Sequence, residues 1–377
     1  MATHVNVDNF VAAETARMFS DIQRSAGGVN VLRHHREPAS IDAQTVIRLN
    51  RDTLYSFAVV DVSEAATLTL PEAGDRYVSA MILDERHYVR AVLHDAGEHD
   101  LRALAPKSTH VLVALRILVD PDDENDVAEV GRVQDAVGLV AASVNPYPEP
   151  DNDSASLDAT RAALLQLAAG MADFDRTFGR RRDVDPVHHL IGTAAGWGGL
   201  PTTEASYVGV APGLPVGTYE LTMKDVPVDA FWSVSVYNAE GYFEANDDGR
   251  YSVNSVTGMA DEDGSITVRF TPPGEVAGPN DIPLPEGWNF LVRLYRPRDE
   301  FRDGTWSVPD LVVVHADAST PQASDDAADG AADDAADAAP DTGGQPTEAL
   351  ETFEPEGDTP DEGDAPDEGE PRTADPA

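Results

Sequence analysis

The sequence predicts a mainly β protein, α+β overall, in which two antiparallel β units are joined by a helical connector. Three observations lead to that class. Apolar runs of strand length dominate residues 1–320, and Gly or Pro punctuates their junctions. Only three stretches carry helical spacing. Strands and helices do not alternate, and no glycine-rich phosphate loop follows a strand, which argues against a nucleotide-binding α/β fold.

The first helical stretch is Asp8 to Ser25, where Val11, Thr15, Met18 and Ile22 recur at helical spacing before Gly27-Gly28 stops them. Strand-like runs follow at Thr45 to Leu49, Leu54 to Val62 and Ala66 to Leu70. After the Pro71-Glu72-Ala73-Gly74 turn come Tyr77 to Leu83, His87 to Leu93 and His110 to Val119. A second helix opens at Pro121-Asp122-Asp123 and places Val127, Val130, Val133, Val137 and Val140 on one face. Asn145 to Pro150 reads as a stiff, proline-rich linker. The third helix, Ser154 to Phe178, has a Ser cap, a stripe of Leu157, Leu164, Ala168, Met171 and Phe178, and a Gly179 stop. From Tyr207 onward the strands return, at Gly217 to Met223, Phe231 to Asn238, Ser265 to Phe270 and Asn289 to Tyr295.

Composition narrows the function classes. The 377 residues carry a formal net charge of −42, and only Lys107 and Lys224 among the 26 basic residues are lysines. A surface so acidic and lysine-poor suits molar salt, which screens the self-repulsion, and points to a halophilic, archaeal source. Nucleic acid is not an expected partner, because no basic patch of adequate size exists to neutralise phosphates. Zero cysteines exclude disulfides, thiolate nucleophiles and thiolate metal sites. No apolar run reaches membrane-spanning length, and Met1 to Phe10 lacks both a basic segment and an apolar core, so we expect a cytoplasmic protein with no membrane contact.

Charge divides the chain near residue 318. Residues 321–377 carry 19 acidic side chains against Arg372 alone, and their only large apolar residues are Leu350 and Phe353. Such a segment cannot bury enough surface to offset its entropy and is expected to be disordered. It reads either as a bland solvated tail or as a partner-binding one with Leu350 to Phe353 as a short anchor.

Two polar clusters stand out from the apolar runs. The first, Arg48-Leu49-Asn50-Arg51-Asp52-Thr53-Leu54-Tyr55-Ser56, lies between two strands. Asp52 can act as a general acid or base, Arg48 or Arg51 can clamp an anion, and Asn50 and Tyr55 can orient it. The competing reading is a turn in which Asn50 and Asp52 cap backbone amides. The second cluster begins at Trp232. Alternation puts Trp232, Val234 and Val236 on one face and Ser233, Ser235 and Tyr237 on the other. That polar face suits a pocket lining, with Glu244 as a second acid or base and Arg250 as an anion ligand; the competing reading is a solvent-facing strand. Asp247-Asp248-Gly249 lacks the full ligand set of a calcium loop. The adjacent pairs His34-His35 and His188-His189 lack the spacing by which two ligands share one ion, so no metal is expected. No Gly-x-Ser-x-Gly elbow is present. Gly196 to Pro201, with Trp197, reads as a packed corner rather than a sugar platform.

At these clusters the chain resembles a known family. Arg48 to Ser56, Leu68-Thr69-Leu70-Pro71 and Gly74-Asp75-Arg76-Tyr77-Val78 resemble the N-terminal member of the paired domains of unknown function DUF1254 and DUF1214. Val228 to Asn238, Arg250-Tyr251-Ser252-Val253, Trp288 to Pro297 and Asp303-Gly304-Thr305-Trp306 resemble the C-terminal member. The resemblance spans roughly residues 5–315 in order. It implies a β-rich, two-part architecture with a C-terminal jelly-roll-like sandwich, and supplies neither a reaction nor a catalytic set. The division expected is an N-terminal β-rich domain with its helix at 1–150, a helical connector at 151–205, a C-terminal β-sandwich at 206–317 and the acidic tail at 318–377.

Three functions follow as expectations. One is an enzyme, a hydrolase or lyase, acting on a small polar or anionic metabolite in a cleft between the β units. A second is a non-catalytic carbohydrate or metabolite binding module using the same cleft. The third is a scaffold that works through its acidic tail. A small-molecule ligand is the expected partner, no cofactor is implied, and a homo-oligomer is allowed.

Overall fold

A computed structural model describes residues 2–314, apart from 45 and 172. The acidic tail therefore lies outside the described residues. In chain order the elements are α1 (Phe10–Ala26), β1 (Arg33–His34), β2 (Thr53–Asp61), β3 (Ala66–Leu70), β4 (Val78–Asp84), β5 (Val89–Leu93), β6 (Gly97–Asp100), α2 (Leu101–Leu104), β7 (His110–Leu118), α3 (Glu124–Asp135) and β8 (Gly138–Ala141). Next come α4 (Ser154–Ala168), α5 (Pro186–Ala195), β9 (Ala205–Val210), β10 (Tyr219–Met223), β11 (Trp232–Tyr237), β12 (Ser252–Asn254), β13 (Ile266–Thr271), β14 (Asp281–Pro283), β15 (Asn289–Tyr295), α6 (Asp299–Arg302) and β16 (Val312–Val313). The described strands form four sheets, ordered β1-β2-β7-β4-β5, β6-β3-β8, β14-β13-β10-β16 and β12-β11-β15-β9. The fold is mainly antiparallel β; the β13–β14 pairing is parallel.

The five-stranded sheet is buried on both faces, which is why β7 reads as an unbroken apolar run and why every residue of it is buried. One face, with Ala58, Val60, Ile82, Val111 and Val113, packs on Leu68, Leu70 and Leu101 of the small sheet and α2. The other face, with Phe57, Val59, Met81, Leu112 and Ala114, packs on Met18, Phe19 and Ile22 of α1. Helix α1 ends where Gly27 takes φ +80, so that its N–H reaches the Arg24 carbonyl and the Gly28 N–H reaches that of Gln23. Its Phe10 and Ala13 meet Leu157, Leu164, Ala168 and Ile191 of α4 and α5.

The two C-terminal four-stranded sheets enclose one core. Tyr219, Leu221, Val268 and Phe270 from one sheet face Trp232, Val234, Val236, Phe290, Val292 and Leu294 from the other. The opposite face of β11 carries Ser233, Ser235 and Tyr237, all of them buried. N-terminal residues cover it. Apolar contact also crosses between the halves, where Phe231 stacks on Tyr295 at 4.1 Å between centroids and both lie within 5.4 Å of the Tyr77 ring.

Several expected elements differ in the structure. Residues 46–50 form turns rather than a strand, because Arg48 adopts φ +55 and its N–H leaves the chain's own neighbours for the Gly241 carbonyl at 2.7 Å. Helix α3 stops at Asp135, and Val140 of the expected stripe instead lies in β8, 73% exposed. The third helix stops at Ala168, one turn before Met171, and Phe178 lies in a loop. Helix α5 was not expected at all. Its signal was present in Asp185-Pro186: the Asp185 carboxylate accepts the N–H groups of Val187 and His188, and Pro186 sits in the first turn. His188 and His189 thus lie on a helix, not a strand.

One buried histidine supports the hairpin between β4 and β5. His87 has φ +61 and no exposed surface. Its Nε2 accepts the Gly198 N–H at 2.8 Å, so the ring proton sits on Nδ1 and is donated to Thr193 Oγ1 at 2.9 Å. The Thr193 hydroxyl in turn donates to the His189 carbonyl. Burial, reinforced by neighbouring His189, holds the His87 imidazole well below the usual histidine range. The folded chain thus refuses a proton that the unfolded chain accepts below about pH 6.5. Stability is unaffected above that pH and falls below it by about 1.4 kcal/mol per pH unit for one proton. Denaturant titrations at a series of pH values should show His87→Asn, which tolerates the positive φ, lacking that component of the acid slope. Identical slopes in the two proteins would contradict the assignment.

Candidate functional site

The two polar clusters of the sequence meet. The turn at 48–52 delivers backbone carbonyls and Asp52 from the N-terminal half, and the buried face of β11, with β12 and β15, receives them. At the centre is Arg293 on β15, opposite Ser233 in the ladder and fully buried. Its Nη1 donates to Ser235 Oγ at 2.9 Å. Its Nη2 donates to the Arg48 carbonyl and the Tyr237 hydroxyl at 2.8 Å each, with the Leu49 carbonyl at 3.2 Å. The Tyr237 hydroxyl passes its proton to the Leu49 carbonyl at 2.8 Å. The left-handed backbone at Arg48 is what turns two successive carbonyls toward one guanidinium.

Asp52 is completely buried. Its Oδ1 faces Ser252 Oγ and Asn254 Nδ2, each at 3.4 Å, and Oδ2 is buried with no hydrogen-bond partner. Asn50, not Asp52, makes the turn: its Oδ1 accepts the Asp52 N–H at 2.9 Å. Asn50 Nδ2 faces Thr53 Oγ1, Tyr55 OH and Tyr295 OH between 3.0 and 3.3 Å, so it too joins the halves. The Arg48 side chain runs toward β9, where an added Cβ at Gly209 would lie 2.7 Å from Nη1; the glycine leaves room for the guanidinium. Arg48 Nη1 and Ser233 Oγ are also buried without partners.

Charge is unbalanced here, since two guanidiniums and one carboxylate share the nest. Burial, with Arg293 adding to it against the opposing influence of Tyr237, lowers the pKa of Arg48. Burial raises that of Tyr237 against the pull of Arg293.

The remaining sequence candidates sit around or away from this nest. Arg51 donates to the Ala39 carbonyl at 2.6 Å and lies over the Tyr251 ring. Tyr55 is half-buried, with the Arg116 guanidinium 5.5 Å from its ring centre. Arg250 is tied to the Gly278 carbonyl. Glu244 is exposed and lines a separate groove with Asp247, Asp248 and Glu286, so no contact joins it to Asp52. Sequence reasoning missed Arg293, Asn254 and Arg116. The signal for the two arginines was present, because each is a lone cation inside an apolar strand, where a charge is buried only with partners. Trp197 is buried against Phe19 and His87, so Gly196 to Pro201 is a packed corner. Among the described residues no group of three or more His, Asp or Glu is placed to hold a metal ion.

Arg293→Met should be strongly destabilising, because it strands the Arg48 carbonyl, removes one of two donors from the Leu49 carbonyl, and leaves the buried Ser235 and Tyr237 hydroxyls without the guanidinium. We expect a loss of about 3–5 kcal/mol in urea titrations. A loss below about 1 kcal/mol, the scale of one neutral hydrogen bond, would contradict the role assigned to the guanidinium.

Comparison with known proteins places these two halves. No curated protein matches the chain. Among solved structures, the VPA0106 protein from Vibrio parahaemolyticus aligns with a TM-score of 0.58 at 20% identity, over 82% of this chain and 100% of that one. An uncharacterised protein from Burkholderia cenocepacia aligns with a TM-score of 0.44 at 13% identity, over 80% of this chain and 87% of that one. The first likeness is one of fold. Residues 29–97 match the family model described as "Protein of unknown function (DUF1254)", and residues 215–299 match "Protein of unknown function (DUF1214)". The chain carries a DUF1254 region followed by a DUF1214 region, and each contributes one side of the Arg293 nest.

Proposed function

We propose that the protein binds a small anionic metabolite at the junction of its two β units, with Arg48 and Ser233 as the groups that receive it. The observation that carries this reading is a pair of buried donor atoms with no acceptor, on the partly buried Arg48 and on Ser233. Arg48 Nη1 and Ser233 Oγ are both buried without partners beside Arg293. A carboxylate or phosphate group would accept from both donors and neutralise the second guanidinium. The half-buried Arg51 and Tyr55 would border the bound molecule.

A second reading rests on Asp52. A buried carboxylate with one oxygen unpartnered can take a proton from a bound substrate, which keeps a hydrolase or lyase in view. That chemistry would run on one carboxylate, since Glu244 lies in a separate groove. In this reading residues 1–150 form an N-terminal β-rich domain, 151–205 a helical connector and 206–317 a jelly-roll-like C-terminal sandwich, the last supported by two sheets closing on one core.

The test is a thermal-shift screen of carboxylated and phosphorylated metabolites against the protein and Arg48→Gln. A true ligand should stabilise the unmodified protein by about 2.7 kcal/mol at 100 times its Kd and bind about tenfold more weakly to the variant. If Asp52 is a base, Asp52→Asn should bind the same compound and fail to turn it over. Anions that stabilise both proteins equally would contradict the proposal.

A further inference from the structure

We propose that a second cleft, which shares no lining residue with the Arg293 nest, binds an amphipathic organic anion: a carboxylate or phosphate carried on a small apolar body. The cleft has a volume of about 360 Å³ and opens at the edge of the five-stranded sheet, between β5, the loop before α5 and the turn before β9. That size suits a small metabolite. Its apolar lining includes Val92, Phe178 and Pro201, its cationic lining is Arg176 and Arg180, and Thr202 also lines it.

The cationic wall is unusual in this chain. Arg180-Arg181-Arg182 is the sequence's only run of three consecutive basic residues, in a protein of net charge −42. The loop is held in place rather than loosely apposed, because the Gly179 carbonyl accepts the Val89 N–H of the edge strand at 3.0 Å. Two carboxylates also line the cleft, and each already has a side-chain partner. Glu204 pairs with His94 at 2.8 Å, and Asp183 with Arg182 at 3.4 Å. Arg176 donates to the Asp183 carbonyl at 3.5 Å, and its charge also acts on the Asp185 carboxylate. Among the described residues neither Arg176 nor Arg180 forms an ion pair, so two guanidinium forks remain to grip one anionic group. The apolar wall then selects for a ligand with a body, since a bare inorganic ion would leave Val92 and Phe178 without a partner.

Phenyl phosphate is the probe, followed by amide shifts at Gly179, Arg180, Thr202 and Thr203 in the full chain. We expect saturable shifts at those amides. Binding should be about tenfold weaker in Arg180→Gln and weaker still in the Arg176→Gln/Arg180→Gln double variant, with unchanged Tm because both side chains are exposed. Inorganic phosphate should bind more weakly than phenyl phosphate. Absence of saturable shifts up to about 10 mM, or equal affinity in the double variant, overturns the site. Equal affinity for inorganic phosphate and phenyl phosphate overturns the amphipathic ligand. Arg48→Gln should leave this binding intact, which separates failure here from failure of the junction site.

Discussion

A guanidinium with no access to water must find acceptors for its N–H groups or cost several kcal/mol, and Arg293 finds them in the other half of the molecule. Its partners include two backbone carbonyls of the 48–49 turn, so the C-terminal sheet dictates the conformation of the N-terminal segment that enters β2. The left-handed Arg48 and the buried hydroxyls of Ser235 and Tyr237 serve that contact, and the glycine at 209 leaves room for the Arg48 side chain. The apolar stack of Phe231, Tyr295 and Tyr77 supplies area burial beside it. Area alone has no direction. The guanidinium supplies the register in which the halves meet.

Much of the fold was legible from pattern. Strands β3 and β15 fall at their expected limits, and β2, β4, β7, β10, β11 and β13 within one or two residues of them, because alternation and turn residues act locally. The failures share a physical cause. β6, β8, β12 and β14 are three or four residues long and exist through their ladder partners, so no local periodicity marks them. The segment at 46–49 reads as part of a strand by composition, but the Gly241 carbonyl, almost two hundred positions away, decides its backbone. The resemblance to the paired DUF1254 and DUF1214 regions survived where such details did not, because it rests on motifs spread along the chain.

The site was half legible. Alternation correctly put Ser233, Ser235 and Tyr237 on one face of β11, yet it could not say that the face was covered by protein. Asp52 and Glu244 were equal candidates in sequence. Folding separates them, leaving Asp52 wholly buried and Glu244 in an exposed groove. Arg293 escaped notice because it was read as one residue of an apolar strand. The exception to a hydrophobic run carried more information than the run.

The central claim is that the 48–52 turn belongs energetically to the C-terminal sheet. Native-state hydrogen exchange of the Arg48 amide, bonded to the Gly241 carbonyl, tests it most directly. If the account holds, Arg48 should exchange only through the same opening that exposes Val113 in the N-terminal sheet and Val234 in the C-terminal one. Exchange of Arg48 through a local opening about 2 kcal/mol or more below those core amides would contradict it.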